Sequence, residues 1–372
     1  MEEMELNMTS VNPDFWRNKR IFLTGHTGFK GGWLSLWLQS MGADIFGFAL
    51  PPPTTPSLYG EARVAENMQS LFGDIRDYGL LLETMKKSRA EIVIHMAAQP
   101  LVRRSYQEPI ETYATNIMGT VHVLEAARHV DTVTTVVNVT TDKCYENKEW
   151  IWGYREDDRL GGFDPYSSSK SCSELVTSSY RNSFFQSGQL ALASARAGNV
   201  IGGGDWATDR LIPDILRAFE ASRPLVIRNP TATRPWQHVL EPLSGYLILA
   251  ERLHHQGREY SQAWNFGPSD DDVRSVEWIV EKIASYWGNS PAWEISSENH
   301  PHEANFLKLD ISKSRNFLNW NPLLSLDEAL GLTVDWYKSR LSGEDMRDVT
   351  IRQISNYQGI KSPLNKKQEQ YK

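Results

Sequence analysis

Short apolar, β-branched runs alternate with longer stretches of helical periodicity through the first two hundred residues. The runs lie at 20–24 (RIFLT), 44–49 (DIFGFA), 91–96 (EIVIHM), 133–140 (VTTVVNVT) and 190–196 (LALASAR). Helical patterns occupy 28–41, 75–89, 110–129 and 166–187. Strands separated by helices of ten or more residues build βαβ units, whose parallel sheet is covered on both faces. Right-handed crossovers then favour an α/β fold with a doubly wound parallel sheet. Past residue 200 glycine and proline thicken and the alternation breaks up. Helical patterns return at 209–221, 241–256, 274–287 and 326–340, with short strands near 225–228 and 262–266. The pattern divides into a dinucleotide-binding domain at 15–200, with segments near 224–270 returning to it, and a smaller interleaved α/β substrate lobe at 201–345. The stretch 346–372 reads as a C-terminal tail, frayed from Ser362.

Composition narrows the classes. The 372 residues include 13 Trp, 14 Tyr and 13 Phe, too many core-forming side chains for a disordered chain. A net charge of −7, from 39 basic and 46 acidic residues, leaves no footprint for nucleic acid. No apolar run reaches membrane-spanning length, and the acidic start MEEMELNMTSVNPDFW lacks the pattern of a signal peptide. Cys144 and Cys172 have neither metal-ligand spacing nor a disulfide-rich context. These features point to a cytoplasmic globular protein with no metal.

The first strand runs into Thr24-Gly25-His26-Thr27-Gly28-Phe29-Lys30-Gly31-Gly32 and then an amphipathic helix. Bare backbone at Gly25, Gly28 and Gly31 lets a diphosphate approach the helix N-terminus, where free N–H groups and the dipole favour negative charge. An ordinary glycine-rich turn is the alternative, and the position after the first strand of a βαβ unit decides for the Rossmann-type phosphate loop. Thr27, Phe29 and Lys30 belong to the same cofactor-binding loop. The second strand ends in Phe48-Ala49-Leu50-Pro51-Pro52-Pro53, without the acidic residue that holds an adenosine ribose, so the choice between NAD and NADP stays open there. Lys30 is a cation able to favour an extra phosphate. Asp74 and Ile75, in Gly73-Asp74-Ile75-Arg76-Asp77, are candidates for the adenine edge, with Asp74 equally readable as a helix N-cap.

Tyr166 and Lys170 form YxxxK at the head of a helix, one turn apart on one face. A free phenol titrates at about 10, and an adjacent ammonium together with a cationic nicotinamide would lower that value toward a working base. Thr141, at the end of the preceding strand, can bond the hydroxyl that Tyr166 deprotonates.

With these motifs in place the chain resembles the extended short-chain dehydrogenase/reductases that act on sugar nucleotides, over roughly residues 18–340. The resemblance adds His95-Met96-Ala97-Ala98-Gln99, Asn116-Ile117-Met118-Gly119-Thr120 and Arg196-Ala197-Gly198-Asn199-Val200. It implies that His95, Ala97 and Ala98 line the nicotinamide ribose, that Asn116 supports the active-site lysine through water, and that Gln99 and Asn199 contact substrate. Thr140-Thr141-Asp142-Lys143 resembles the branch that dehydrates CDP-glucose, as do Gly202-Gly203-Gly204-Asp205-Trp206, Arg234-Pro235-Trp236-Gln237-His238-Val239 and Leu309-Asp310-Ile311-Ser312-Lys313. Epimerases usually lack an acid–base dyad at this point, and a surface ion pair is the plainer alternative for Asp142 and Lys143. By resemblance the cofactor is NAD and the substrate CDP-glucose. Lys143 is then the base at sugar C5 and Asp142 the acid at the departing 6-hydroxyl, unless the two share the proton work. Arg234 and, beside it, Arg210 match the nucleotide-binding segments of the second lobe. Within the superfamily, an epimerase or decarboxylase is the other enzymatic reading, and a non-catalytic cofactor sensor the reading from another class. Apolar residues on the helices at 110–129 and 166–187 suggest a homodimer or homotetramer.

Overall fold

The computed structural model describes residues 10–360 apart from 187, 189, 228, 289–292 and 296–305. Seven parallel strands make the central sheet: β1 (Arg20–Thr24), β2 (Asp44–Ala49), β3 (Gln69–Phe72), β4 (Ile92–His95), β5 (Thr135–Val139), β6 (Ala191–Ala197) and β10 (Ala263–Phe266), in the order β10-β6-β5-β4-β1-β2-β3. Alternate side chains of each strand feed opposite faces. Phe22, Val93, Val136 and Leu192 pack with Leu81 and Met85 of helix α2 (Tyr78–Ser88) and Val123 and Leu124 of α3 (Gly119–Arg128). Ile21, Leu23, Ile94, Val137 and Ala193 face the other way, onto Trp33 and Trp37 of α1 (Phe29–Ser40). Helix α4 (Pro165–Ser183) carries Tyr166 and Lys170, and α6 (Leu240–Gln256) follows α5 (Leu211–Glu220). The strand order reverses between β1 and β4, which opens a crevice at their C-terminal ends.

The second lobe rests on two small sheets. In one, β9 (Thr233–His238) pairs parallel to β7 (Asn199–Ile201) and antiparallel to β11 (Val273–Ser275). In the other, β8 (Leu225–Ile227) pairs with β12 (Trp293–Ile295). The part of the later chain that returns to the central sheet is therefore α6 and β10, whereas 225–238 stays in the second lobe. The lobe is completed by α7 (Val276–Trp287) and α8 (Leu326–Leu341), and among the described residues no helix is long and apolar enough to cross a membrane.

Among the departures from expectation, three bear on the sheet and its covering helices. Strand β3 was not foreseen, because Leu71 and Phe72 are exposed at a sheet edge and leave no buried alternation to detect. The helix at 110–129 is broken into Pro109–Tyr113, a π turn at Ala114–Met118, and α3. The expected tail begins with α9 (Met346–Gln358), which packs Val349, Ile354 and Tyr357 into the core beside α1 and α8. The fraying expected from Ser362 lies outside the described residues.

A buried ion pair ties the sheet to α4. Glu174 on α4 and Arg196 on β6 meet at 2.8 Å with both side chains almost wholly enclosed. Glu174 also accepts from Thr140 Oγ1 and Ser194 Oγ, and Arg196 donates to Tyr145 Oη at 2.7 Å and the Glu156 carbonyl at 2.9 Å. We predict that Glu174→Gln costs about 3–5 kcal/mol of folding stability, because it strands a buried guanidinium. The double variant Glu174→Leu/Arg196→Met should cost less than the single change. Urea unfolding midpoints check both, and a single variant as stable as the parent would refute the prediction.

Candidate active site

The crevice is a cleft of about 1770 Å³ between the C-terminal ends of the central strands and the second lobe. That volume exceeds the 300–1000 Å³ common for one small ligand and accommodates a dinucleotide and a sugar nucleotide together. Gly25, Thr27, Gly28, Phe29, Lys30 and Gly31 line one part of it, with Asp74, Ile75, Ala97 and Ala98. Thr141, Asp142, Lys143, Tyr166, Lys170, Asn199, Arg210 and Arg234 line another. Motifs spread over two hundred residues thus meet in one space.

The loop's glycines are required by contact. Gly25 has φ +82°, and a Cβ there would lie 2.7 Å from the Ala97 nitrogen. A Cβ on Gly31 would lie 2.1 Å from the Gly25 carbonyl oxygen. Gly28 is the N-cap of α1 and brings no side chain to the cap, so the first helical N–H groups point into the cleft. Thr27 Oγ1 donates to the Leu50 carbonyl at 2.8 Å and anchors the loop to the end of β2. Asp74 is not the helix N-cap: Asp77 accepts from Leu80 N and caps α2. The Asp74 carboxylate instead grips Arg76, which holds it below the usual carboxylate range. Arg76 also reaches Glu111. Bare backbone at Gly25 and Gly31 and the uncapped N-terminus of α1 fit the diphosphate of a dinucleotide such as NAD.

Several matched residues lie behind the wall of the cleft. His95 is buried between Thr24 Oγ1, at 2.7 Å, and Thr120 Oγ1, at 3.4 Å, and burial pulls it down to about 3. It is not among the side chains that line the cleft. It holds Thr24, whose Oγ1 accepts from the Met96 and Ala97 nitrogens at 3.1 and 3.2 Å, and so sets the wall that Ala97 and Ala98 present. Asn116, in the π turn, exchanges hydrogen bonds with the Gln99 backbone and donates to Ser169 Oγ at 2.8 Å. It braces α4 three residues beyond Tyr166, with its amide taken up by those partners. Gln99 lines the cleft, but its amide binds Thr112 Oγ1 and both backbone groups of Leu101, so it shapes its own loop.

At the catalytic end, Tyr166 is buried and is pushed up to about 12, chiefly by burial, with the nearby Thr141 hydroxyl lowering it and Asp142 raising it. The net shift on the chain's own groups is therefore upward. The Lys170 ammonium faces the Val139 carbonyl, at 3.4 Å, and is itself lowered by burial to about 8 despite the opposing Glu174. Thr141 Oγ1 donates to Asp142 Oδ1 at 2.9 Å and accepts from the Lys143 nitrogen in the turn Asp142–Cys144. Burial raises the Asp142 carboxyl, against Lys143 and Arg234. Asp142 and Lys143 are therefore not a surface ion pair: Asp142 is enclosed and both line the cleft. Arg210 pairs with Asp205 at 2.8 Å, and Arg234 donates to the Thr233 carbonyl while lining the second lobe's wall.

No motif or periodicity singled out Tyr246 on α6, whose hydroxyl accepts from Lys30 Nζ at 3.0 Å. Lys30 thereby turns toward the catalytic groups, so it is not placed to hold an extra phosphate at the end of β2. Arg103 also lines the cleft, 3.2 Å from Asp209.

The model of the family described as GDP-mannose 4,6 dehydratase matches residues 22–333. The chain belongs to this family. A relative named CDP-glucose 4,6-dehydratase, from Salmonella typhimurium, is 56% identical over 93% of this chain and 98% of its own. A dTDP-glucose 4,6-dehydratase from Xanthomonas campestris is 25% identical over 85% of this chain and 92% of its own. A solved dTDP-glucose 4,6-dehydratase from Streptomyces venezuelae, with NAD bound, superposes with a TM-score of 0.75 at 22% identity, covering 88% of this chain and 99% of the other. The family's doubly wound sheet is the fold described above.

Gly31→Ala should lower NAD affinity by at least about tenfold, since its Cβ collides with backbone and must open the loop. Fluorescence titration with NAD checks this, and unchanged affinity would refute the cradle.

Proposed function

We propose that this chain is an NAD-dependent CDP-glucose 4,6-dehydratase, a hydro-lyase that yields the 4-keto-6-deoxy sugar nucleotide. The observation that carries the reading is the placement of Asp142 and Lys143 on the same cleft wall as Thr141, Tyr166 and Lys170. An alcohol oxidation alone needs only the last three. An acid and a base beside them are what elimination of water adds. The 56% identical relative supports the cytidine nucleotide, for which the residues themselves give no independent reading.

The steps follow from the groups present. Tyr166 takes the proton of the 4-hydroxyl, which Thr141 orients. NAD, held over Gly25–Gly31, would supply a cationic ring that favours the phenolate and a hydride acceptor for C4 that serves as donor to C6. The 4-ketone acidifies the C5 proton, which Lys143 removes and later gives back. Asp142, its carboxyl raised by burial, stays protonated longer than an exposed aspartate and donates to the 6-hydroxyl as it leaves as water. Arg210 and Arg234 face the substrate's diphosphate, where guanidinium offers fixed charge. The free cysteines Cys144 and Cys172 suit a reducing, cytoplasmic setting.

Purified protein with NAD should convert CDP-glucose, and not dTDP-, GDP- or UDP-glucose, into a product with the alkaline absorbance of a 4-keto-6-deoxy sugar. Tyr166→Phe should abolish turnover and leave NAD binding intact. Product from another nucleotide would overturn the substrate, and C4-epimerised product would overturn the dehydratase.

The apolar side chains Ile110, Tyr113, Met118, Leu175 and Phe184 are exposed on the face formed by α4 and the helix before α3. Their clustering supports a homodimer through that face, with a tetramer as a further pairing. Light scattering at micromolar concentration should give at least twice the chain mass, and Leu175→Glu with Ile110→Glu should give monomers.

A further inference from the structure

Arg210 is a cation that the second lobe brings to the wall carrying Tyr166. It stands at the N-terminus of α5, and its side chain makes no cap there. The guanidinium turns back instead to Asp205, with Nη1 2.8 Å from Oδ2. Asp205 is buried, its other carboxylate oxygen accepts from the Ala207 nitrogen at 3.1 Å, and its carbonyl accepts from Tyr337 Oη on α8. Trp206 packs edge to face against Trp336 and Tyr337 of the same helix. The turn 205–210 is therefore built into the second lobe, while 34% of the Arg210 side chain stays exposed toward the cleft it lines. The opposite wall holds the turn as well. Asp209, at φ +60°, accepts from Arg103 Nη1 at 3.2 Å, and Arg103 lies on the short helix Val102–Gln107 after β4. Aspartate is one of the few side chains that tolerate this left-handed backbone. Here Asp209 faces the sheet side and the next residue, Arg210, faces Asp205, Tyr166 and, from α1, Lys30.

Tyr166 is faced by Thr141 and Asp142 from the turn after β5, by Asp164 at the cap of α4, by Tyr246 from α6 and by Arg210. Lys170 follows one helical turn along α4. Burial is the largest influence on the phenol and pushes it up; Thr141 and Arg210 act against burial, and Asp142 and Asp164 act with it. Resting on the dehydratase reading, we propose that Arg210 is a positioning residue for the base, a second-lobe cation that the pairs Asp205–Arg210 and Arg103–Asp209 set beside the Tyr166 hydroxyl. In the oxidation, the proton of the sugar 4-hydroxyl passes to the Tyr166 phenolate as hydride passes from C4 to NAD, leaving ketone, phenol and NADH. A fixed cation beside the phenol oxygen favours the phenolate that begins this step. Because that cation belongs to the second lobe, the strength of the base depends on the lobe being seated against the first.

CDP-6-deoxyglucose isolates the step, since its C4 can be oxidised and it has no 6-hydroxyl to lose, so NADH absorbance reports the oxidation alone. At saturating NAD and sugar nucleotide the rate should rise with pH as the phenol ionises. Loss of a nearby cation raises the phenol further. Arg210→Gln should therefore move the rising limb up by about one pH unit and lower the rate about tenfold below it. Arg210→Lys, which keeps the charge, should restore most of the shift. Arg103→Gln, which weakens the tie to Asp209 and leaves Arg210 in place, should move the limb the same way by less. A limb that stays in place while CDP-glucose affinity falls, read by calorimetry in the Tyr166→Phe background, overturns the proposal and leaves Arg210 to the diphosphate. A rate lowered equally at every pH and not restored by Arg210→Lys also overturns it, because a merely structural role has that form. If Arg210→Gln fails to fold, Arg103→Gln and Asp209→Asn decide the matter by the position of the limb. A parent that oxidises no sugar nucleotide overturns the dehydratase reading and this proposal with it, whereas an active parent with unshifted variants overturns only the proposal.

Discussion

The geometry of the active site depends on the buried pair between Glu174 and Arg196. Tyr166, Lys170 and Glu174 follow one another at four-residue steps, so one face of α4 presents a phenol, a lysine and then an anchor. The anchor binds Thr140 at the end of β5 and Ser194 and Arg196 on β6, and Arg196 reaches on to Tyr145 beyond the Asp142–Cys144 turn. Helix, strand end and acid–base turn are thus registered by one cluster of charge-assisted bonds. Such a pair seldom stabilises more than an apolar packing of equal volume would, since desolvation offsets the Coulomb attraction. What it contributes is position. It contributes charge as well, because the Glu174 carboxylate, one turn below Lys170, opposes the burial that would otherwise neutralise that lysine.

The cofactor side is fixed by an uncharged network. Thr24 at the end of β1 joins the neutral His95 to the backbone of Met96 and Ala97, so the loops after β1 and β4 hold each other where the sheet changes direction. Asn116 links the Gln99 loop to α4 in the same way. These buried polar groups set the walls of the cleft.

Much of the site was legible in the sequence because its chemistry is local. The glycine loop and YxxxK each lie within one turn of chain, and their spacing carries the geometry. The central strands were legible because burial on both faces makes them continuous apolar runs, as in RIFLT and EIVIHM. Helix α9 was not, although its buried positions 346, 349, 350, 353, 354 and 357 have helical spacing. Two of them are polar: Thr350 accepts from Trp336 Nε1 and Gln353 donates to the Leu332 carbonyl, which dilutes the apolar stripe. Tyr246 was invisible for a different reason. Nothing near it in the chain distinguishes it from a core tyrosine of a buried helix, and its meaning comes from Lys30, 216 residues away.

The protonation states set by the chain alone do not yet make a working dehydrogenase. Burial pushes the Tyr166 phenol up to about 12, draws Lys170 to about 8 and Lys30 to about 7, and raises the Asp142 carboxyl. Each shift favours the neutral form, as desolvation in a cleft dictates. In the proposed reaction a cationic ring beside Tyr166 would oppose its upward shift and favour the phenolate. Asp142 is the exception that suits the proposed scheme, in which it would give a proton that burial inclines it to keep.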